Sequence, residues 1–249
     1  MIESLNNEKI KYYTKLNDKK YRKSEQLFIA PGSHLVEEAL KKGLVKEILL
    51  LKGEENIYDD KTTYVTKEIL KKVSGLDSPP KVLAICHMIS PQEIKGNVII
   101  LDDINDPGNL GTIIRSAIAF NYDTIIASPN TVDLYNLKTI RSSEGMIFNI
   151  NYIVASLPDA IKVLKEKGYT IYGTNVSGGS NIKPEKEKHA LIIGSEASGM
   201  KDDLKSLCDK LLYIKMNSLC ESLNAGVSAS ILMYELTKVT NKVTNYEKH

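Results

Sequence analysis

Val98-Ile99-Ile100-Leu101 runs, after a short polar stretch, into Asn105-Asp106-Pro107-Gly108-Asn109-Leu110-Gly111-Thr112-Ile113-Ile114-Arg115-Ser116-Ala117. Four consecutive apolar residues read as a buried strand. Pro107, Gly108 and Gly111 let the following backbone turn tightly. The apolar spacing then opens a helix whose first N–H groups are free for an anion. Strand, turn and helix in that order are the building unit of an α/β fold. The unit recurs outward from this stretch. Strands are expected at Thr124–Ala127, Ile150–Val154, Thr170–Gly173, Ala190–Ile193 and Leu211–Ile214, with helices at Leu110–Phe120, Leu157–Lys167 and Ala225–Thr237. Strands that are almost wholly apolar belong to parallel sheets covered on both faces.

Upstream, a second and smaller α/β segment is expected. A helix near residues 3–17 precedes a strand at Leu27–Ala30. Ser33 caps a helix that Gly43 ends, Ile48–Leu51 is a strand, Thr66 caps a helix to Val73, and Val82–His87 is a strand. The polar run from Ser90 to Asn97 reads as the linker. This divides the chain into domains at 1–92 and 97–249. The polar tail beyond Lys238 is expected to fray.

The chain has 249 residues, 42% of them apolar and 26% charged, enough for a sizeable core. Met1 to Lys11 is polar and charged, unlike a secretory signal. No apolar run approaches the roughly 18 residues of a membrane span. Cys86, Cys208 and Cys220 are far apart and lack CxxC spacing, which argues against a disulfide framework or a zinc site. A cytoplasmic protein without metal is expected. The net charge of +2 hides an excess near the start: residues 1–23 hold seven Lys and Arg against three acids. Lys19, Lys20, Arg22 and Lys23 stand there among Tyr12, Tyr13 and Tyr21. Such cations and rings suit RNA phosphates and bases. A solvated amphipathic helix with Ile10, Tyr13 and Leu16 on its apolar face is the alternative.

Two further stretches have the makings of a site. Leu191-Ile192-Ile193-Gly194-Ser195-Glu196-Ala197-Ser198-Gly199-Met200 takes an apolar strand into a loop with two glycines and one acid. Open α/β sheets place ligand contacts at such strand ends; a carboxylate capping the next helix is the competing reading. Ile214-Lys215-Met216-Asn217-Ser218-Leu219-Cys220-Glu221-Ser222-Leu223-Asn224-Ala225-Gly226 is a polar loop leading into a helix of small residues, capped by Asn224 or Ser222. For Arg115, holding a phosphate and pairing with a carboxylate are both open. Neither a GxxxxGK[ST] loop nor a GxGxxG turn is present, so the usual nucleotide fingerprints are excluded.

Taken together, Asn109-x-Gly111-x-x-x-Arg115, Gly194-Ser195-Glu196-x-x-Gly199 and Ile214-x-Met216 with Ser222-Leu223-Asn224 resemble the SpoU/TrmH family of RNA ribose 2′-O-methyltransferases. The resemblance covers roughly residues 97–238. The stretch from Lys19 to Leu40 is similar, more loosely, to the accessory substrate-binding domain of that family. The resemblance implies a SPOUT α/β knot, a mostly parallel sheet with a C-terminal trefoil knot. It implies S-adenosylmethionine as cofactor, held by Gly194, Ile214, Met216, Leu223 and Asn175. It implies catalysis by Arg115, with Asn109, Glu196, Ser222 and Asn224 orienting it and the ribose. Arginine stays protonated below a pH of about 12, so electrostatic positioning fits it better than proton abstraction. A homodimer is implied, with the small residues of the last helix at its interface. Ribosomal RNA is the expected substrate; transfer RNA, or an inactive RNA-binding or ribosome-assembly role, are the alternatives. Lys215 stands where the family usually has Pro, and Ser218 where it often has Gly.

Overall fold

The computed structural model describes residues 1–58, 61–175, 178–185 and 187–238. The chain begins with α1 (Glu8–Thr14), α2 (Lys19–Glu25), β1 (Leu27–Pro31), α3 (Ser33–Lys41), β2 (Val45–Leu51), β3 (Thr62–Val65), α4 (Lys67–Ser74) and β4 (Val82–His87). It continues with β5 (Asn97–Leu101), α5 (Pro107–Ala119), β6 (Tyr122–Ala127), α6 (Leu137–Ser142), β7 (Asn151–Val154), α7 (Leu157–Glu166) and β8 (Thr170–Asn175). β9 (His189–Ile193), α8 (Asp202–Ser206), β10 (Lys210–Tyr213) and α9 (Ala225–Thr237) complete it. The tail expected to fray lies outside the described residues.

Contacts divide the chain into two units. The first is Met1–Ser90 with Asp133–Asn149; the second is Pro91–Val132 with the described residues from Ile150. Residues 133–149, inside the range read as the second domain, group with the first because their rings and charges are used there. Phe28 packs on Tyr135 and Phe148, with ring centroids 4.6 and 6.2 Å apart.

The first unit holds a four-stranded sheet in the order β1-β4-β2-β3, antiparallel except for the β2/β3 pair. Ile10, Tyr13 and Leu16 are buried against Ile69, Leu70 and Val73 of α4. The basic segment therefore does use its apolar face. It is two helices rather than one, because Asp18 accepts from Lys20 N and starts α2 afresh. Thr66 caps α4 as read, accepting from Ile69 N at 3.4 Å. Ser33 does not cap α3; Gly32, at φ +98°, takes that place.

Arg22 corrects the reading of the basic stretch. It is 6% exposed. Nε and Nη2 donate to Asp133 Oδ2 at 3.1 and 2.6 Å, and Nη1 donates to the carbonyls of Leu16 and Asn17 at 2.9 and 2.8 Å. A buried guanidinium must satisfy its donors inside the protein. Arg22 is a structural cation, whereas Lys19, Lys20 and Lys23 are exposed.

The second unit is a six-stranded, all-parallel sheet in the order β10-β8-β9-β5-β6-β7. Val98, Ile99, Ile100 and Leu101 are fully buried at its centre, as are Ala190, Leu191 and Ile192 of β9. From β5 the chain winds to β6 and β7 on one side, then returns to β8 and β9 on the other. β5 and β9 are thus adjacent at the point where the strand order reverses, the place where such sheets open a crevice. The two glycine-bearing loops leave these two strands.

At the other end of this sheet, His189 is fully buried. Its Nδ1 donates to the Glu187 carbonyl at 3.0 Å, which leaves Nε2 to accept from the Tyr122 hydroxyl at 2.7 Å. Burial holds the imidazole below its ordinary pKa of 6.5. The unfolded chain therefore binds a proton that the folded chain refuses, and stability falls as pH drops through 6.5. The melting temperature of the protein should fall more between pH 7.5 and 5.5 than that of a His189→Gln variant; equal falls would mean that His189 is not the acid-sensitive group.

Candidate active site

The first loop starts with a cap. Asp106 Oδ1 accepts from Asn109 N at 2.9 Å, and Pro107 occupies the first turn, where its missing N–H costs nothing. The Asp-Pro pair was a readable signal that α5 begins three residues before Leu110. This start places Asn109 in the first turn with its side chain inward, 8% exposed.

The second loop is a tight return. Ser195 and Gly199 exchange two backbone hydrogen bonds of 3.1 and 3.0 Å. A Cβ on Gly194 would come within 2.2 Å of Met200 N, so only glycine lets the two ends of the loop lie side by side. Lys201 ties the loop's far end to β5. Its N–H donates to Asp102 Oδ2 at 2.9 Å, and its Nζ donates to Asp103 Oδ2 at 2.7 Å. Asp102 is 1% exposed, and its Oδ1 forms an ion pair with Lys201 Nζ at 3.1 Å. Burial works against the Asp103 carboxylate, but Lys201 and Ser128 hold it below the usual range.

The third loop ends at Asn224, which caps α9 by accepting from Val227 N at 3.2 Å. The small residues of this helix pack within the unit. Ser230 Oγ meets Ser116 Oγ of α5 at 2.7 Å, and a Cβ on Gly226 would approach Thr112 to 3.1 Å.

The three loops meet at one point. Asn109 Nδ2 donates to Glu196 Oε1 at 2.7 Å, while Asn109 Oδ1 accepts from Asn224 Nδ2 at 2.8 Å. Glu196 Oε2 accepts from Asn105 N at 3.3 Å. Beside this junction lies a cavity of about 580 Å³. Asn175, Gly194, Ile214, Met216 and Leu223 all line it, together with Glu196, Ser222 and Asn224. Its walls also include Leu212, Leu232, Glu221 and Lys205, which motif reading passed over because single residues of these types carry no pattern. Arg115 is not part of the lining. It is exposed on α5 and, among the described residues, its side chain has no hydrogen bond or ion pair.

The SpoU rRNA Methylase family model matches residues 96–234, and an MRM3-like substrate binding domain matches residues 7–84. The 23S rRNA (guanosine(2553)-2'-O)-methyltransferase RlmP of Bacillus subtilis is 39% identical over 246 residues, 94% of this chain and 98% of that protein. The crystal structure of an AdoMet bound rRNA methyltransferase from Sinorhizobium meliloti shares 26% identity, with a TM-score of 0.82 over 94% of this chain and 95% of that one. The crystal structure of an RNA 2'-O ribose methyltransferase shares 26% identity, with a TM-score of 0.79 over 94% and 96%. With its family motifs drawn together by Asn109 around one cavity, the chain belongs to the SpoU rRNA methylase family.

Proposed function

We propose that this chain transfers the methyl group of S-adenosylmethionine to a ribose 2′-hydroxyl of ribosomal RNA. The junction of Asn109, Glu196 and Asn224 beside the cavity carries the reading. The likeness to the Bacillus subtilis 23S rRNA enzyme supports ribose as the target and ribosomal over transfer RNA.

The cavity fits the cofactor. About 580 Å³ is the size of a pocket for a nucleoside-sized ligand. Ile214, Leu212 and Leu223 offer apolar walls to a purine, and Asn175 and Ser222 offer polar groups to a ribose. S-adenosylmethionine supplies a methyl group made electrophilic by its sulfonium. The proposed holders are Gly194, Ile214, Met216, Leu223 and Asn175.

A ribose hydroxyl is a weak acid, so the site must stabilise the forming alkoxide and align it. Arg115 suits this role, being permanently charged and free of internal partners among the described residues. Asn109, Glu196, Ser222 and Asn224 would hold the ribose and keep the loops in register. Arg115 lies outside the cavity lining and is exposed on α5, the helix that packs on α9. We propose a homodimer in which a second copy covers the exposed Val227 and Tyr234 of α9. The C-terminal trefoil knot of the SPOUT fold belongs to the same proposal, formed where the loop from Ile214 to Asn224 returns to α9.

Residues 1–92 are proposed as the accessory RNA-binding domain and residues 97–249 as the methyltransferase domain. Lys19, Lys20 and Lys23 supply exposed cations for phosphates. No helix among the described residues is long and apolar enough to cross a membrane. A cytoplasmic location, beside the ribosome, fits the proposed substrate, and no step invokes a metal.

Purified protein should transfer labelled methyl to 23S ribosomal RNA, and nucleoside analysis should recover a 2′-O-methylated product; RNA that is bound but never labelled would favour an inactive assembly factor. Arg115→Ala should lower that transfer by about 10²-fold or more, with cofactor affinity measured by calorimetry unchanged within about twofold; retained transfer would remove Arg115 from the mechanism. Replacing Lys19, Lys20 and Lys23 with Ala should weaken RNA binding at all sequences and flatten its salt dependence by roughly 0.7 to 0.9 in log–log slope per lost contact.

A further inference from the structure

We propose that Lys205 binds the carboxylate of the cofactor's methionine tail, giving up Asp202 to do so. The inference rests on the S-adenosylmethionine reading above and names a recognition residue within it.

The charges around the cavity differ in number and sign. Among the described residues its lining holds two carboxylates, Glu196 and Glu221, and one cation, Lys205. The cofactor carries two positive groups, the sulfonium and the ammonium, and one negative group, the carboxylate. Glu196 is already bonded to Asn109 and Asn105. Among the described residues, Lys205 is the lining side chain with the charge to meet the carboxylate.

The lysine is placed to exchange partners. Its Nζ lies 2.7 Å from Asp202 Oδ1, but the Asp202 side chain is 94% exposed. A pair of this kind, three residues apart on a short helix in water, contributes little, so releasing it costs little. The backbone beneath Lys205 is fixed. Its N–H donates to the Lys201 carbonyl at 3.0 Å, and Lys201 N–H is in turn held by Asp102 at 2.9 Å. A flexible stem on an anchored helix can reach a carboxylate in the cavity without moving the loop.

Two ligands separate this contact from the rest of the site: S-adenosylhomocysteine, which keeps the amino-acid tail, and 5′-deoxy-5′-methylthioadenosine, which lacks it. By calorimetry, Lys205→Met should weaken binding of S-adenosylhomocysteine about tenfold, the scale of one charged hydrogen bond. Binding of methylthioadenosine should stay within about twofold, and Lys205→Arg should restore most of the loss. Asp202→Asn, which frees the lysine, should tighten S-adenosylhomocysteine and leave methylthioadenosine unchanged. Unaltered affinity for S-adenosylhomocysteine in Lys205→Met, or equal losses for both ligands, would overturn the assignment and leave the cofactor reading standing. A wild-type protein that binds neither ligand would overturn the cofactor reading itself, and the assignment with it.

Discussion

The carboxamide of Asn109 joins three loops that are far apart in the chain. It donates to Glu196, 87 residues away, and accepts from Asn224, 115 residues away. A carboxamide is suited to this because it donates and accepts through two atoms of one rigid plane. A carboxylate there would face Glu196 as a like charge; an alkyl side chain would leave Glu196 and Asn224 with unmet polar groups. Asn109 is 8% exposed, so a missing bond there would not be made good freely by water.

The junction forms because of the order of strands. β5 and β9 are neighbours at the reversal of a parallel sheet, so the loops after them leave from the same edge. Each loop then has its own restraint. Asp106 and Pro107 set where α5 begins, Gly194 lets its loop fold back on itself, and Lys201 ties that loop to Asp102 and Asp103. Asn224 serves twice, capping α9 through its oxygen and reaching Asn109 through its nitrogen. Together these restraints leave a cavity whose lining includes residues of both the second and the third loop.

Much of this was legible because local physics writes it locally. Fully buried parallel strands leave apolar runs such as Val98–Leu101, and Thr66 and Asn224 stand where caps must stand. The residues read as one site do converge, Arg115 apart. Less was legible where a residue's partner is distant. Arg22 looked like one more cation in a basic stretch, and only Asp133, 111 residues on, makes it structural. The small residues of α9 are equally suited to another subunit or to α5, and the structure uses them on α5. Segment 133–149 sits between two strands of one sheet, yet Tyr135 and Phe148 pack on Phe28 of the other unit's sheet. β3 and α6 were missed for a simpler reason: both are short, and β3 is only half-buried, so neither carries a clear period.

We propose that the hydrogen-bonded meeting of the three loops serves methylation of ribose in ribosomal RNA. The most direct measurement maps 2′-O-methylation across ribosomal RNA in cells that lack the gene, carry it, or carry its Glu196→Gln form. One ribose should lose its methylation with the gene, regain it with the wild-type protein and not regain it with the variant. Ribosomal RNA methylated alike in all three would contradict it.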